Sequence, residues 1–138
     1  MRSVFAAAFV LLAALPARAD DLRIPLDEDF ANFEVMWNKN EHSSTVYWNV
    51  VDYNGRLAVC GLIQHHDASL MQFDHKMLRR STMKINGKVA LKGMEYFTAI
   101  GAGGKPEKSQ ATCKVLDGPL PPRDSQFEFN TPRMREYS

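Results

Sequence analysis

The chain has 138 residues, of which 45% are hydrophobic and 24% charged, with 17 lysines and arginines against 16 aspartates and glutamates. That composition excludes a collagen-like, coiled-coil or wholly disordered chain and fits one folded domain. The near balance of charge also argues against strong non-specific binding to nucleic acid.

Arg2 supplies a positive start, Val4 to Leu15 is an unbroken apolar run, and Ala17-Arg18-Ala19 carries small residues at the two positions that signal peptidase reads. The pattern predicts a signal peptide over residues 1–19, cleaved to leave Asp20 first. A transmembrane anchor would need about 18 or more apolar residues. The mature chain is therefore expected in a periplasmic or secreted location and is not expected to span a membrane. Loss of Arg2 and Arg18 leaves 15 bases against 16 acids, and these are segregated along the chain. Asp20 to Glu41 holds seven acids and two bases, whereas Lys76 to Lys114 holds nine bases and two acids. Such segregation predicts a bipolar surface able to dock a charged partner, although lysines on the wet face of ordinary strands give the same pattern.

Residues 20–118 read as a single α+β domain and 119–138 as an extended, proline-containing C-terminal tail. From Asp29 to Asn38, Phe30, Phe33 and Trp37 fall at i, i+3 and i+7, which predicts a short helix with Asp27, Glu28 and Asp29 at its N-terminus. Asn40 to Ser44 reads as a connector. Thr45 to Asp52 and Arg56 to Ile63 are strand-like and flank Asn54-Gly55, the strongest short hairpin signal. A two-residue turn sets Val50 opposite Val59, Val46 opposite Ile63, and Trp48 opposite Gly61, where the indole is expected to cover the glycine. Both faces of this hairpin are largely apolar, so it is expected to be central and covered on two sides.

Ser69-x-x-Gln72 is a capping-box pattern, with Ala68 and Phe73 placed as a hydrophobic staple, and it predicts a second helix from about Leu70 to Arg80. Lys76, Arg79 and Arg80 suit its C-terminal end. Leu70, Met71, Phe73, Met77 and Leu78 share one arc, and Asp74 falls inside it. Asn86-Gly87 marks a second hairpin with two competing registers. A two-residue turn pairs Ile85 with Lys88, whereas a three-residue loop aligns Met83 and Ile85 with Leu91 and Val89. The likeness of Asn54-Gly-Arg-Leu-Ala-Val59 to Asn86-Gly-Lys-Val-Ala-Leu91 raises an αββ duplication, though shared turn chemistry explains most of it. Glu95 to Ile100 and Gln110 to Leu116 read as strands joined by the glycine-rich loop 101–108, and Phe127 to Asn130 as one edge strand. The overall expectation is an antiparallel sheet of β-hairpins with two short helices.

Cys60 and Cys113 are the only cysteines, and in an oxidising compartment such a pair is most simply a disulfide. A bond closing a loop of that length contributes roughly 4 kcal/mol by chain entropy. The close Cys-x-x-Cys spacing of redox enzymes is missing.

The densest polar cluster is His65-His66-Asp67 with His75, ligand types that suit zinc or copper. Adjacent histidines in a strand point to opposite faces, so chelation would need a loop conformation. Met71 and His75, at i and i+4, would suit Cu(I), although Met71 is equally ordinary core filling. Gly101-Ala-Gly-Gly-Lys-Pro lacks the pattern of a phosphate loop, and no nucleophile elbow or His-Glu-x-x-His motif occurs. Asp27, Glu34 and Asp74 are the acids an unusual hydrolase would draw on, each also explained as a helix-end or paired charge.

The leading expectation is a small exported, disulfide-bonded binding or accessory protein without catalysis or a required cofactor. Its binding surface is expected to draw on Tyr47, Trp48, Tyr53, Arg79, Arg80 and Lys84, facing an envelope protein or an anionic envelope polymer rather than nucleic acid. Two alternatives stay open: a zinc or copper protein using His65, His66, Asp67 and His75, and an atypical hydrolase of envelope polymers.

Overall fold

The computed structural model describes residues 22–26, 32–39, 42–67 and 74–132. Residues 1–19, expected as the signal peptide, lie outside that range, as do the capping-box residues Ser69 and Gln72 and the start of the predicted first helix, residues 29–31.

The longest unit is the predicted central hairpin. β3 (His42–Tyr53) and β4 (Arg56–His65) pair antiparallel across Asn54-Gly55, with Val50 opposite Val59, Trp48 opposite Gly61 and Val46 opposite Ile63. Asn54 (φ 53°) and Gly55 (φ 84°) both take the left-handed conformation that a type I′ turn demands. β4 pairs on its other side with β8 (Gln110–Val115) over its first half and, in parallel, with β7 (Thr98–Ile100) over its second. β1 (Leu22–Pro25) extends the sheet beyond β8, and β2 (Asn32–Lys39) extends it beyond β3.

β2 overturns the first predicted helix. Phe33, Val35 and Trp37 also alternate with polar or flexible residues at a period of two, and the open edge of β3 offers that backbone a ladder of partners. A one-residue slip between Val35 and Trp37 shows where the ladder absorbs an imperfect pattern. Strand pairing also replaces His42 to Ser44 of the expected connector.

The second predicted helix is present as α1, Asp74–Arg80. Met77 and Leu78 are buried while Lys76, Arg79 and Arg80 are exposed, as the helical arc requires. After it, β5 (Thr82–Ile85) pairs with β6 (Lys88–Lys92) on one side and β9 (Phe127–Asn130) on the other, forming a three-stranded sheet. Asn86-Gly87 makes the two-residue turn that pairs Ile85 with Lys88, and a bulge at Ala90 then restores Met83 opposite Leu91. The two-residue register thus holds at the turn, and of the two pairs expected from the three-residue loop only Met83 with Leu91 forms, Val89 standing opposite Lys84. One 3-10 turn, Pro106–Lys108, lies in the glycine-rich loop.

The fold is therefore mostly antiparallel β-sheet with one α-helix among the described residues, and the expected two-helix α+β arrangement is corrected accordingly. The αββ duplication falls with it, because a strand precedes the first hairpin and the two hairpins lie in different sheets.

Both faces of the central hairpin are covered, as its composition predicts. One face places Val46, Trp48, Val59 and Ile63 against Met83, Leu91 and Phe129 of the second sheet, with Met77, Leu78 and Phe97. Trp48 stacks on Phe129 at 5.8 Å, and Phe129 on Phe97 at 5.9 Å. The ring of Phe97, rather than Trp48, occupies the space that a side chain at Gly61 would need. The opposite face gathers Ala58, Cys60 and Leu62 with Leu26, Ala111 and Cys113. Cys60 and Cys113, directly opposite each other on β4 and β8, form a disulfide that is wholly buried there. That bond is compatible with an exported protein, and no helix among the described residues is long and apolar enough to cross a membrane.

Candidate functional site

Three regions bring chemistry-bearing residues together. The first is the far end of the central hairpin, where the histidines lie. His65 ends β4 opposite Ser44 of β3, both wholly buried, with Ser44 Oγ and His65 Nδ1 hydrogen-bonded at 2.8 Å. His66 follows in an exposed bend, its Nε2 3.0 Å from Thr45 Oγ1. The neighbours thus diverge, one into the core and one into solvent, each engaged by a hydroxyl of β3. Asp67 is half-buried beside them, and the side chain of His75 lies outside the described residues. Among the described residues no group of three or more His, Cys, Asp or Glu side chains is arranged to hold a metal ion.

Serine beside histidine is the pairing from which nucleophilic catalysis is built, but a nucleophile must reach its substrate. The wholly buried Ser44 does not, so the pair acts as a satisfied polar contact that fixes the end of the hairpin. Extending the Asn54-Gly55 register to the end of the strands would have found it, because the same turn that pairs Val46 with Ile63 pairs Ser44 with His65.

The aromatic residues of the expected binding surface are dispersed. Trp48 is buried on Phe129, Tyr47 lies half-buried on the opposite face with its hydroxyl donating to Gln64 Oε1 at 3.3 Å, and Tyr53 is exposed beside the turn. Gln64 in turn donates to the Gly104 carbonyl at 2.9 Å and ties the glycine-rich loop to the sheet. Tyr96, half-buried, donates to the Val59 carbonyl at 3.1 Å, and burial pushes its phenol far above the usual tyrosine range.

The second region is basic. Arg79 and Arg80 leave the end of α1, and two backbone bonds bring β6 back against that end: Gly93 N donates to the Ser81 carbonyl at 2.8 Å and Met94 N to the Leu78 carbonyl at 2.6 Å. Lys92, opposite Thr82, enters this junction from β6, and Arg79, Arg80 and Lys92 are all exposed, as is Glu95, whose carboxylate lies beside Gly93. Lys84 stands half-buried two pairs further along β5, opposite Val89 and Glu128. The stretch Lys76 to Lys92 carries six bases and no acid.

The third region was not anticipated from the sequence. It is a cleft of about 420 Å³, lined by residues of both sheets and of the segment that follows β8. Leu57 and Leu116 line it from the first sheet, Ile85 and Leu91 from the second, and Pro119 and Pro121 form a wall. Lys114 and Asp117 supply its charge, and Asp117 is held by Arg56 at 2.7 Å. A cleft assembled from four separated segments leaves no local motif. Its only sequence trace is the proline-stiffened exit from β8. No family model matches the chain, and neither does any curated protein or solved structure.

Proposed function

We propose that this chain is a small exported, disulfide-bonded binding protein that works without catalysis and docks an anionic envelope polymer. The observation that carries the reading is the placement of exposed Arg79, Arg80 and Lys92 in the chain segments that meet where Gly93 and Met94 bond back to Ser81 and Leu78. A polyanion is favoured over a discrete acidic ligand because these bases are all exposed to solvent. Their attraction adds over many repeating charges and weakens with salt. The buried Cys60–Cys113 bond supports export, since it withdraws both thiols into a form that an oxidising compartment maintains.

The test uses protein recovered from its own envelope fraction, which is expected to begin at Asp20 and to carry the oxidised cysteine pair by mass. Retention on immobilised dextran sulfate should fall steeply with salt. A base near an anionic surface contributes about 1 kcal/mol, so the Arg79→Gln/Lys92→Gln pair should bind about 30-fold more weakly. The Lys105→Gln/Lys108→Gln pair, of equal charge change but in the glycine-rich loop, should bind nearly as wild type. Equal weakening by both pairs would reduce the effect to net charge and end the proposal.

A further inference from the structure

The cleft between the sheets carries a second inference, independent of the basic edge. We infer that it binds an amphipathic anion, an unbranched acyl chain ending in one carboxylate, with the chain between the sheets and the carboxylate on the Lys114 ammonium. Its volume, about 420 Å³, lies within the range of small-molecule sites. Leu57, Ile85, Leu91, Leu116, Pro119 and Pro121 present apolar surface to the space. Apolar and polar surface share the lining about equally, and such walls reward a ligand with an apolar body and a polar end.

The polar groups select the other end of the ligand. Asp117, the acid on the lining, already accepts from Arg56 Nη2 at 2.7 Å, and Arg56 Nε donates to the Leu116 carbonyl at 3.1 Å. Lys114 is exposed, and among the described residues it has no ion-pair partner. Lys88, paired with Ile85 across the turn, brings a second base to the same end of the hairpin. Lys88 stands off the lining, and with Asp117 paired to Arg56 it is Lys114 that leaves the lining a positive charge. On its β8 side the cleft has no free ladder of backbone groups for an added peptide strand. Here Lys114 is paired with Val59, Leu116 N donates to the Leu57 carbonyl, and prolines 119, 121 and 122 offer no N–H. A flexible acyl chain asks nothing of the backbone.

Dodecanoate below its micellar concentration is the probe, followed through the methyl resonances of Leu57, Ile85, Leu91 and Leu116. Saturable shifts confined to those methyls are expected, with Lys114→Glu weakening binding at least tenfold and Lys108→Glu leaving it unchanged. Dodecyltrimethylammonium, with the same chain and the opposite charge, should bind at least tenfold more weakly than dodecanoate. Ala90→Trp, which fills the cleft from its exposed rim, should abolish the shifts. If that variant does not fold, Lys114→Glu and the cationic probe still decide. Unsaturable shifts spread over the molecule, equal affinity for the two surfactants, or undiminished binding by Lys114→Glu would each overturn the inference. Shifts centred on Arg79 and Lys92 would overturn it too, while leaving the basic-edge reading standing.

Discussion

Both hairpins turn on Asn-Gly in the left-handed region, Asn54-Gly55 at φ 53° and 84° and Asn86-Gly87 at 51° and 82°, and both continue with a base, an apolar residue and alanine. From the first turn, β3 and β4 run ten pairs without a slip, from Tyr53 opposite Arg56 to Ser44 opposite His65. From the second, β5 and β6 hold two pairs and then shift by one residue between Lys84 and Met83. The difference lies in what each face must bury. In β4, Leu57 to Ile63 are all buried, so either side of the strand is committed to a core and a slip of one residue would misplace every side chain. In β6 only Leu91 is buried, and a single bulge suffices to seat it while Lys88, Val89, Ala90 and Lys92 stay in solvent. Turn chemistry starts a hairpin, but burial decides how far its register is held.

The largest expected effect tests that commitment at Gly61. A methyl there would fall within the Phe97 ring, which is itself stacked on Phe129 and packed edge-on to Tyr96 at 5.0 Å. Gly61→Ala should cost about 3 kcal/mol in urea unfolding. Gly93 stands at the same distance from the second turn. Its added methyl would meet chiefly the flexible end of Glu95, so Gly93→Ala should cost only about 1 kcal/mol, from its positive φ of 83°. Phe97→Leu is expected to recover part of the Gly61→Ala loss. Equal costs at the two glycines would dissolve the distinction between a committed and a permissive hairpin.

These particulars also show what the sequence could convey. The first hairpin, its register, its two covered faces and the Cys60–Cys113 pair were all legible, because each rests on local turn chemistry, alternation or simple counting. The second hairpin left two registers open because both were needed, one at the turn and one at Leu91. β2 was misread because Phe30, Phe33 and Trp37 fit a helical spacing over too short a window. The partner that decides the matter, the edge of β3, is a tertiary fact. The choice of Phe97 over Trp48 to cover Gly61 is equally non-local, as is the cleft.

A smaller effect is expected at Tyr96, whose hydroxyl clamps the Val59 carbonyl of the committed strand. Tyr96→Phe should cost about 1 kcal/mol at neutral pH. Burial raises the folded phenol's pKa far above the ordinary value of about 10, so above that pH the unfolded chain loses a proton that the folded one keeps. The stability Tyr96 contributes is therefore intact below pH about 10 and falls as pH rises further, by up to about 1.4 kcal/mol per unit. Tyr96→Phe removes that decline, and the two stability curves should converge near pH about 11. Curves that stay parallel from pH 7 to 11 would show that the phenol is not held neutral by the fold.

The smallest effect is expected where intuition about a core sheet would place a large one, on deletion of Ala90. The bulge residue is exposed, and removing it lets the two-residue turn continue unbroken from Ile85 opposite Lys88 to Met83 opposite Leu91. No buried side chain changes face. Stability should move by less than about 1 kcal/mol, the scale of a surface change without lost packing, and the Leu91 methyls should keep their core environment. Bulges bend a strand and recur next to active sites, and Ala90 stands on the lining of the cleft. A neutral deletion would mean that the extra residue shapes the cleft's rim at no cost to the fold. A loss above about 3 kcal/mol would instead show that the bend is what lets the second sheet close over Trp48 and Phe97, and that the second hairpin is as constrained as the first.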